Sequence, residues 1–438
     1  MNQLKKVALF VGSCFLMTSL TGCQAVEEEI IETISGITEE IPQLPSFVQE
    51  PEKNIAQIDL PAAYRYEADK VPKVRNQEGT NTCWAFASLS ALESSKDEDV
   101  QSVYSVDHLR YQNPFDNSFE EGGSYMVTMS YLLSWRGPVL EELDPFDGES
   151  EKAMIPAVHV QEVRQIEPKD YQAIKRFVYL YGGVESALYL DFDEYMELLD
   201  EFKNYQGGYI WDFIDQALFV TDEDTGKETY FSYCYQGEAV SNHDVVIVGW
   251  DDHYPAENFV GNVTTDGAFV CQNSWGERFG DQGLFYVSYE DVNIGEYGVV
   301  YSRVDSNDNY DKIYQSDLCG YTAQIGYEQE ECWFANVYTA EEAISLRAAG
   351  FYATGEHTEY EIYVVSDFED EKSFKKKEYL CNGFLEDAGY YTINFPQAVD
   401  IEAEADFALV VKIKTKNDTI VNKIHLCHFL FLSSSKLL

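Results

Sequence analysis

Basic residues are scarce in this 438-residue chain: 30 Lys and Arg stand against 77 Asp and Glu, a formal charge of −47. So negative a surface repels phosphate backbones and anionic headgroups, which excludes nucleic acid and a charge-driven membrane surface as partners. The nine cysteines include no C-x-x-C pair and their spacings offer no zinc template, so neither a metal site nor a cofactor is expected. Long apolar runs are also missing, because the stretch from Val7 to Leu20 is too short for a stable spanning helix. What is present excludes disorder: 45% hydrophobic and 15% aromatic residues fill cores for two or three domains. The excess acid reads as solvated faces rather than as calcium sites or a surface for Lys- and Arg-rich substrates.

Lys5 and Lys6 precede that first apolar run, which ends in Leu20-Thr21-Gly22-Cys23, the pattern of an export signal. The ending resembles the lipobox of bacterial lipoproteins. That resemblance implies cleavage before Cys23 and diacylglyceryl attachment to its sulfur, so residues 1–23 read as a lipoprotein signal peptide and the lipid as the only membrane contact. Residues 24–54 hold eight Glu, one Lys, three Pro and a single aromatic, Phe47, and are expected to form an acidic, extended tether. With Cys14 removed and Cys23 lipidated, seven cysteines remain. The odd number leaves at least one thiol over, and up to three disulfides fit with their pairing open.

The stretch from Val74 to Ser88 carries the strongest chemistry. After Gln77 and a polar loop, Cys83-Trp84-Ala85-Phe86-Ala87 opens a segment apolar over most of a helical circumference, which predicts a buried helix. Thr82 is placed to cap it, and Cys83 at the first turn gains from the helix dipole and free N–H groups as a thiolate. A helix-start cysteine taken alone also fits an inert buried residue. A thiol nucleophile needs a base and a group that orients the base. His243 opens the apolar run Val245-Val246-Ile247-Val248, read as a buried strand, and the next such strand, Ala268 to Gln272, delivers Asn273-Ser274-Trp275-Gly276. His253, in the loop after Gly249-Trp250, is a weaker candidate base. The other histidines have no cysteine motif beside them.

These segments resemble papain-family cysteine peptidases, in which Gln, Cys, His and Asn occur in this order. The matching residues are Gln77, Cys83, His243 and Asn273, with six positions from Gln77 to Cys83. The resemblance extends to Asp59-Leu60-Pro61, Ser105 to Leu109, Gly122-Gly123, Gly137-Pro138-Val139, Asp144-Pro145-Phe146 and Gly182-Gly183-Val184, covering residues 55–304. It implies a two-lobed α+β domain that cleaves peptide bonds through a Cys83–His243 thiolate–imidazolium pair and an acyl-enzyme. Gln77 and the Cys83 backbone N–H would form the oxyanion hole, Asn273 would hold the imidazole, and Trp275 would shield that bond. Gly122, Gly123 and Trp275 would line the substrate. Trp84 fits either the core or the site.

The chain departs from the family in three respects. Thr80-Asn81-Thr82 replaces the usual Cys-Gly-Ser before the nucleophile, removing one familiar disulfide. The intervals from Cys83 to His243 and to Asn273, 160 and 190 residues, exceed the usual 130 to 150. Insertions at 191–240, expected as a cleft wall, and 251–267 hold the surplus. No long helical prodomain is visible between Cys23 and Ile55, so control of activity is expected to come from elsewhere.

Residues 305–312 read as a polar linker, short of the Gly and closing Glu of a calcium loop. Alternating strands beyond it predict a β-sandwich. Residues 313–432 resemble, through Cys332 to Ala340, Tyr360 to Val364 and Ala408 to Lys412, the lectin-like domain appended to some bacterial papain-like peptidases. Cell-surface carbohydrate, another partner, or plain packing on the peptidase are all open for it. The apolar end from Lys423 to Leu438 neither alternates nor spans a bilayer and reads as a truncated or frame-shifted terminus. The combined expectation is an extracellular, lipid-anchored bacterial cysteine endopeptidase acting on protein or peptide substrates. The alternative is a catalytically silent adhesin that binds glycan or peptide through the sandwich.

Overall fold

A helix apolar over most of its circumference has to be surrounded, and that requirement organises the N-terminal half. The computed structural model describes residues 58–66, 71–95, 102–115, 122–150, 154–190, 231–259, 261–316, 319–320, 324–325, 330–415, 424–425 and 430–433. Helix α1 (Cys83–Glu93) is buried from Trp84 to Glu93. Its polar side chains are paired rather than exposed. Ser88 Oγ donates to Glu185 at 2.6 Å, and Glu93 receives the Arg75 guanidinium at 2.8 Å and the Tyr104 N–H at 2.9 Å. Helices α2 (Val106–Gln112) and α3 (Tyr125–Leu133) share its core. Ser105 caps α2 by accepting from the His108 N–H at 2.9 Å. The amphipathic α4 (Tyr171–Leu180) is capped by Asp170, which accepts from the Ala173 N–H at 2.9 Å.

Facing the helices is a sheet built from β1 (Ala63–Arg65), β2 (Val158–Ile166), β3 (Val184–Leu188), β4 (Ser232–Tyr233), β5 (His243–Asp251), β6 (Ala268–Gln272), β7 (Leu284–Ser288) and β8 (Gly298–Ser306). Strand β5 lies between β3 and β6, antiparallel to both, and also pairs with β1. Its Val245 to Val248 run is buried, as an apolar run without alternation requires. Where β1 pairs with β5, a Cβ on Gly249 would sit 2.4 Å from the Tyr64 carbonyl oxygen, so only glycine fits.

The C-terminal half continues with β9 (Lys312–Tyr314), β10 (Gln324–Ile325), β11 (Glu331–Thr339), β12 (Ile344–Ala353), β13 (Thr358–Val365), β14 (Glu378–Leu385), β15 (Ala388–Ile401), β16 (Asp406–Thr415), β17 (Ile424–His425) and β18 (Leu430–Ser433). An antiparallel sheet ordered β11-β16-β13-β14 packs on the β15-β12-β18-β9 strands. Phe351, Tyr391 and Ile393 meet Ile362, Leu409 and Val411 between them, which makes the expected sandwich.

The halves are joined by more than a connection. Strand β15 pairs with β2, Tyr391 against Glu162 and Gly389 against Arg164, so one twelve-stranded sheet runs β4-β7-β6-β5-β3-β8-β2-β15-β12-β18-β9 with β1 on β5. Of the stretch read as a linker, Asp305 and Ser306 belong to β8, paired with His159 and Val158, and β9 starts at Lys312. Polar side chains gave that stretch its linker look, but a ladder is made by backbone. Leu430 to Ser433, in the tail read as a broken terminus, pair with both β12 and β9. The signal, the tether, residues 191–230 of the first insertion, Cys427 and residues 434–438 lie outside the described residues. The second insertion is a turn with a short 3₁₀ helix, Ala256–Asn258.

Candidate active site

Cys83 is the first residue of α1 and is half-buried. The cap expected from Thr82 is not made. Thr80 Oγ1 donates to the Gln77 carbonyl at 2.7 Å, so the Thr82 hydroxyl donates to Thr80 Oγ1 at 2.6 Å instead of accepting at the helix end. The Thr82 carbonyl starts the helix by accepting from the Ala85 and Phe86 N–H groups at 3.0 and 3.1 Å. The backbone N–H groups of Asp244 and Trp84 hydrogen-bond the thiol, which places the sulfur beside the residue that follows His243.

His243, the first residue of β5, is 4% exposed. Its Nε2 is 2.8 Å from Asn273 Oδ1. The Ser274 N–H donates to that same atom at 2.8 Å, which fixes the oxygen end of the amide toward the ring. Nε2 is therefore the donor, and Nδ1 is left as the basic nitrogen. The Trp275 ring lies beside the imidazole, with centroids 4.9 Å apart and planes at 37°, and Phe279 holds it edge-on at 5.0 Å. Burial pushes the His243 pKa down to about 4, against the Asn273 hydrogen bond. Burial also pushes the Cys83 thiol up to about 12, helped by the Asp244 and Glu185 carboxylates and opposed by the two N–H donors. Both shifts favour the uncharged form of each group.

Gln77 is held at both ends of its side chain. Ser274 Oγ donates to Oε1 at 2.6 Å, and Nε2 donates to the Thr80 carbonyl at 2.6 Å, leaving one further N–H on the amide nitrogen. Its backbone N–H donates to the Ser274 carbonyl at 2.7 Å, and Asn76 bridges to Trp275, so the loop before α1 is tied to the loop after β6. Gly122 has φ +71° and lies near the Asn81 carbonyl, whereas a Cβ on Gly123 would come within 2.4 Å of the Trp84 ring. Trp84, 5% exposed, is thus a core residue that also seats the double glycine.

The structure brings Gln77, Cys83, His243, Asn273 and Trp275 together, with Gly122-Gly123 beside the loop before Cys83. His253 is exposed beyond β5; its N–H bonds Asp251 at 2.9 Å. His108 bonds the Tyr131 hydroxyl at 2.6 Å, and His159 stacks on Trp135 at 3.8 Å. Three contributors had no signal of their own in the sequence: Ser274 was read only as part of a motif, Asp244 stands at the head of an apolar run read as strand, and Glu185, just after Gly182-Gly183-Val184, was not singled out. Among the described residues Cys83, Cys234, Cys271, Cys332 and Cys381 are free thiols.

The comparisons agree with this geometry. The profile of the papain family of cysteine proteases matches residues 60–302, and that of a lectin-like domain matches residues 313–425. Over 256 residues the chain is 27% identical to cathepsin O of Mus musculus, spanning 56% of this chain and 68% of that protein. Over 218 residues it is 22% identical to mouse cathepsin K, 49% of this chain and 55% of that one. Two structures of the clostridial cysteine protease Cwp84 share the fold, with TM-scores of 0.66 and 0.64 at 23% and 22% identity. They cover 83% and 85% of this chain, and 87% and 78% of theirs. One shows the cysteine protease and lectin-like domains of Cwp84, a surface layer associated protein of Clostridium difficile. A half-buried thiol at the start of an enclosed helix, next to a His–Asn pair carried on a sheet, defines a two-lobed thiol hydrolase. The chain belongs to the papain family of cysteine proteases and carries a lectin-like β-sandwich after its peptidase domain.

Proposed function

We propose that this chain is an extracytoplasmic cysteine endopeptidase, anchored through lipid on Cys23, with Cys83 as nucleophile and His243 as base. The bond from His243 Nε2 to Asn273 Oδ1 carries this reading, since it turns Nδ1 into the acceptor the thiol requires. The thiol proton passes to Nδ1 as sulfur attacks the peptide carbonyl carbon. Moving one proton creates both charges side by side, so their attraction offsets burial penalties that oppose either charge alone. The carbonyl oxygen, now negative, is met by the free Gln77 amide N–H and the Cys83 backbone N–H. Collapse breaks the C–N bond, the imidazolium protonates the leaving amine, and a thioester remains on Cys83. Water, deprotonated by His243, attacks that thioester and releases the acid and the thiol.

The signal, the tether and the anchor are proposed from the sequence pattern of residues 1–54, with protein or peptide as substrate. The silent adhesin is disfavoured because the four residues of the constellation are all present, with His243 and Asn273 hydrogen-bonded to each other. The test exposes soluble residues 55–438 and a Cys83→Ala variant to an epoxide directed at papain-type thiols. Labelling confined to Cys83, with peptide hydrolysis lost in the variant, is the expected result; a folded protein that takes no label overturns the proposal. Globomycin-sensitive processing and radiolabelled palmitate incorporation that disappear in Cys23→Ala test the anchor separately.

A further inference from the structure

The outer face of the β11-β16-β13-β14 sheet carries chemistry the peptidase reaction does not use. Alternation sends Cys332, Ile362 and Val411 into the sandwich core, so Trp333, Glu361 and Lys412 point the other way. The strand registers place those three residues in one row across three strands. Trp333 is half-buried and fixed in place. Its Nε1–H donates to Glu331 at 3.0 Å, and its ring lies 5.6 Å from that of Tyr363 at 31°. Lys412 is engaged, 3.1 Å from Glu331 and 3.2 Å from Glu361, and its ammonium also lies 5.3 Å from the Trp333 centroid.

Lys377 differs. Its ammonium sits 5.2 Å from the Trp333 centroid and 5.4 Å from that of Tyr363, and among the described residues no carboxylate lies within 4.0 Å of it. Burial lowers its pKa, opposed by the charge of Glu361. A half-buried cation resting on two aromatic rings is held in place yet lacks the counter-charge that would complete it. Lys372, Lys375 and Lys376, on the short turn Glu371–Lys376 leading into it, are exposed and alternate with the exposed carboxylates of Glu369, Asp370, Glu371 and Glu378, so the lysines are held locally in a chain of net charge −47.

We propose that this face binds an acidic glycan, with a sugar ring laid against Trp333 and its acid group on Lys377. An apolar ligand would leave Lys377 unpaired, and a purely ionic one would leave the solvent-facing part of the half-buried Trp333 ring uncovered. Glu331, Glu359 and Glu361 close by favour acid groups spaced along a sugar chain over a dense polyanion, because each acid is then screened from the surrounding negative charge within about 8–10 Å. The proposal rests on this domain alone and stands or falls apart from the chemistry at Cys83.

The test uses the full mature chain carrying Cys83→Ala, to prevent self-digestion, in calorimetric titrations with polygalacturonate and with a glycosylated polyglycerol phosphate. These two arms separate a carboxylate from a phosphate. Neutral dextran and poly-L-glutamate serve as comparisons. Saturable binding of at least one acidic glycan is expected, weakened tenfold or more by Trp333→Ala and by Lys377→Gln, with dextran inert. Lys377→Gln in the Cys83 form should hydrolyse a small peptide at the unaltered rate and melt at the unaltered temperature, so a folding defect in the Trp333 variant would not blur the outcome. Failure of both glycans to bind, binding that survives Lys377→Gln, or poly-L-glutamate binding as tightly as the glycans each overturns the proposal.

Discussion

Glu185 and Asp244 stand diagonally across the β3–β5 ladder, on one face of the sheet, and among the described residues neither has a basic group within 4.0 Å. Ala187 faces Asp244 in the register, and Glu185 is two residues from Ala187. Each carboxyl has one hydroxyl donor, Ser88 for Glu185 at 2.6 Å and Tyr297 for Asp244 at 2.5 Å, and Glu185 Oε1 is buried without a partner. Burial raises the Asp244 pKa to about 6, and burial with the charge of Asp244 holds Glu185 well above the ordinary carboxylate range.

A folded-state pKa above the unfolded one means that folding favours the protonated acid. Its stabilisation is complete below the unfolded pKa and is lost as pH rises through about 6. Asp244→Asn should therefore raise the melting temperature at pH 8 and change it little at pH 4. The Asp244 charge also opposes ionisation of Cys83, so the variant should be alkylated by iodoacetamide faster at pH 7–8, by roughly tenfold for each pKa unit relieved. Alkylation rates that coincide at pH 5 and pH 8 in both forms would remove Asp244 from any control of the thiol.

Ser274 is predicted to act through Gln77. Removing the amide in Gln77→Ala should lower kcat by about 100- to 1,000-fold, as loss of an oxyanion donor does. Ser274→Ala keeps the amide but frees its Oε1, so a smaller loss, about tenfold, is expected in kcat with KM nearly constant. In the double variant Ser274→Ala should add almost nothing to Gln77→Ala, because both remove one function. Full additivity in the cycle would show that Ser274 works elsewhere, for example through the Asn273 loop.

How far the sequence reached follows from what kind of information each feature needs. That Cys83, His243, Asn273 and Gln77 come together was legible, because the thiol, base, orienter and oxyanion donor proposed for them must each be a particular residue type. The buried strand at Val245 to Val248 was legible because an unbroken apolar run has to be covered on both faces. Glu185 and Asp244 were not, since their pairing depends on a β3–β5 register that no local pattern states. The seam between β2 and β15 was equally hidden: Glu162 and Tyr391 pair through backbone, and more than two hundred residues separate them. Thr82 was misread because the capping rule considers one side chain, whereas Thr80 competes for its hydroxyl.

Gly123 gives a steric prediction. An added Cβ would meet the Trp84 ring at 2.4 Å, a distance neither side chain relieves without moving the start of α1. Gly123→Ala should destabilise by about 1–3 kcal/mol, the usual cost of overpacking, and raise KM more than it lowers kcat. Trp84→Phe in the same chain makes room, so the pair should recover part of the lost stability in urea unfolding. A double variant less stable than both single ones would show that the indole is needed for more than filling that space.

The β2–β15 seam makes the sandwich part of the peptidase's support. Arg164 on β2 donates to Asp387 at 2.8 Å across the seam and to Glu162 at 2.6 Å, its side chain is 4% exposed, and its guanidinium lies 4.7 Å from the Tyr181 ring. Arg164→Ala leaves two carboxylates without their cation in a half-buried place, for which about 3–5 kcal/mol is expected in chemical unfolding. A fragment of residues 55–312 strips β15 from β2 and leaves an unpaired strand edge with Tyr352 and Tyr390 gone from the neighbouring core. Bare edges of this kind pair with other chains, so the fragment should elute as oligomers or aggregate where residues 55–438 elute as one species. A monomeric fragment with full peptidase activity would mean that β2 is protected without β15, and that the shared sheet positions the sandwich instead of supporting the site.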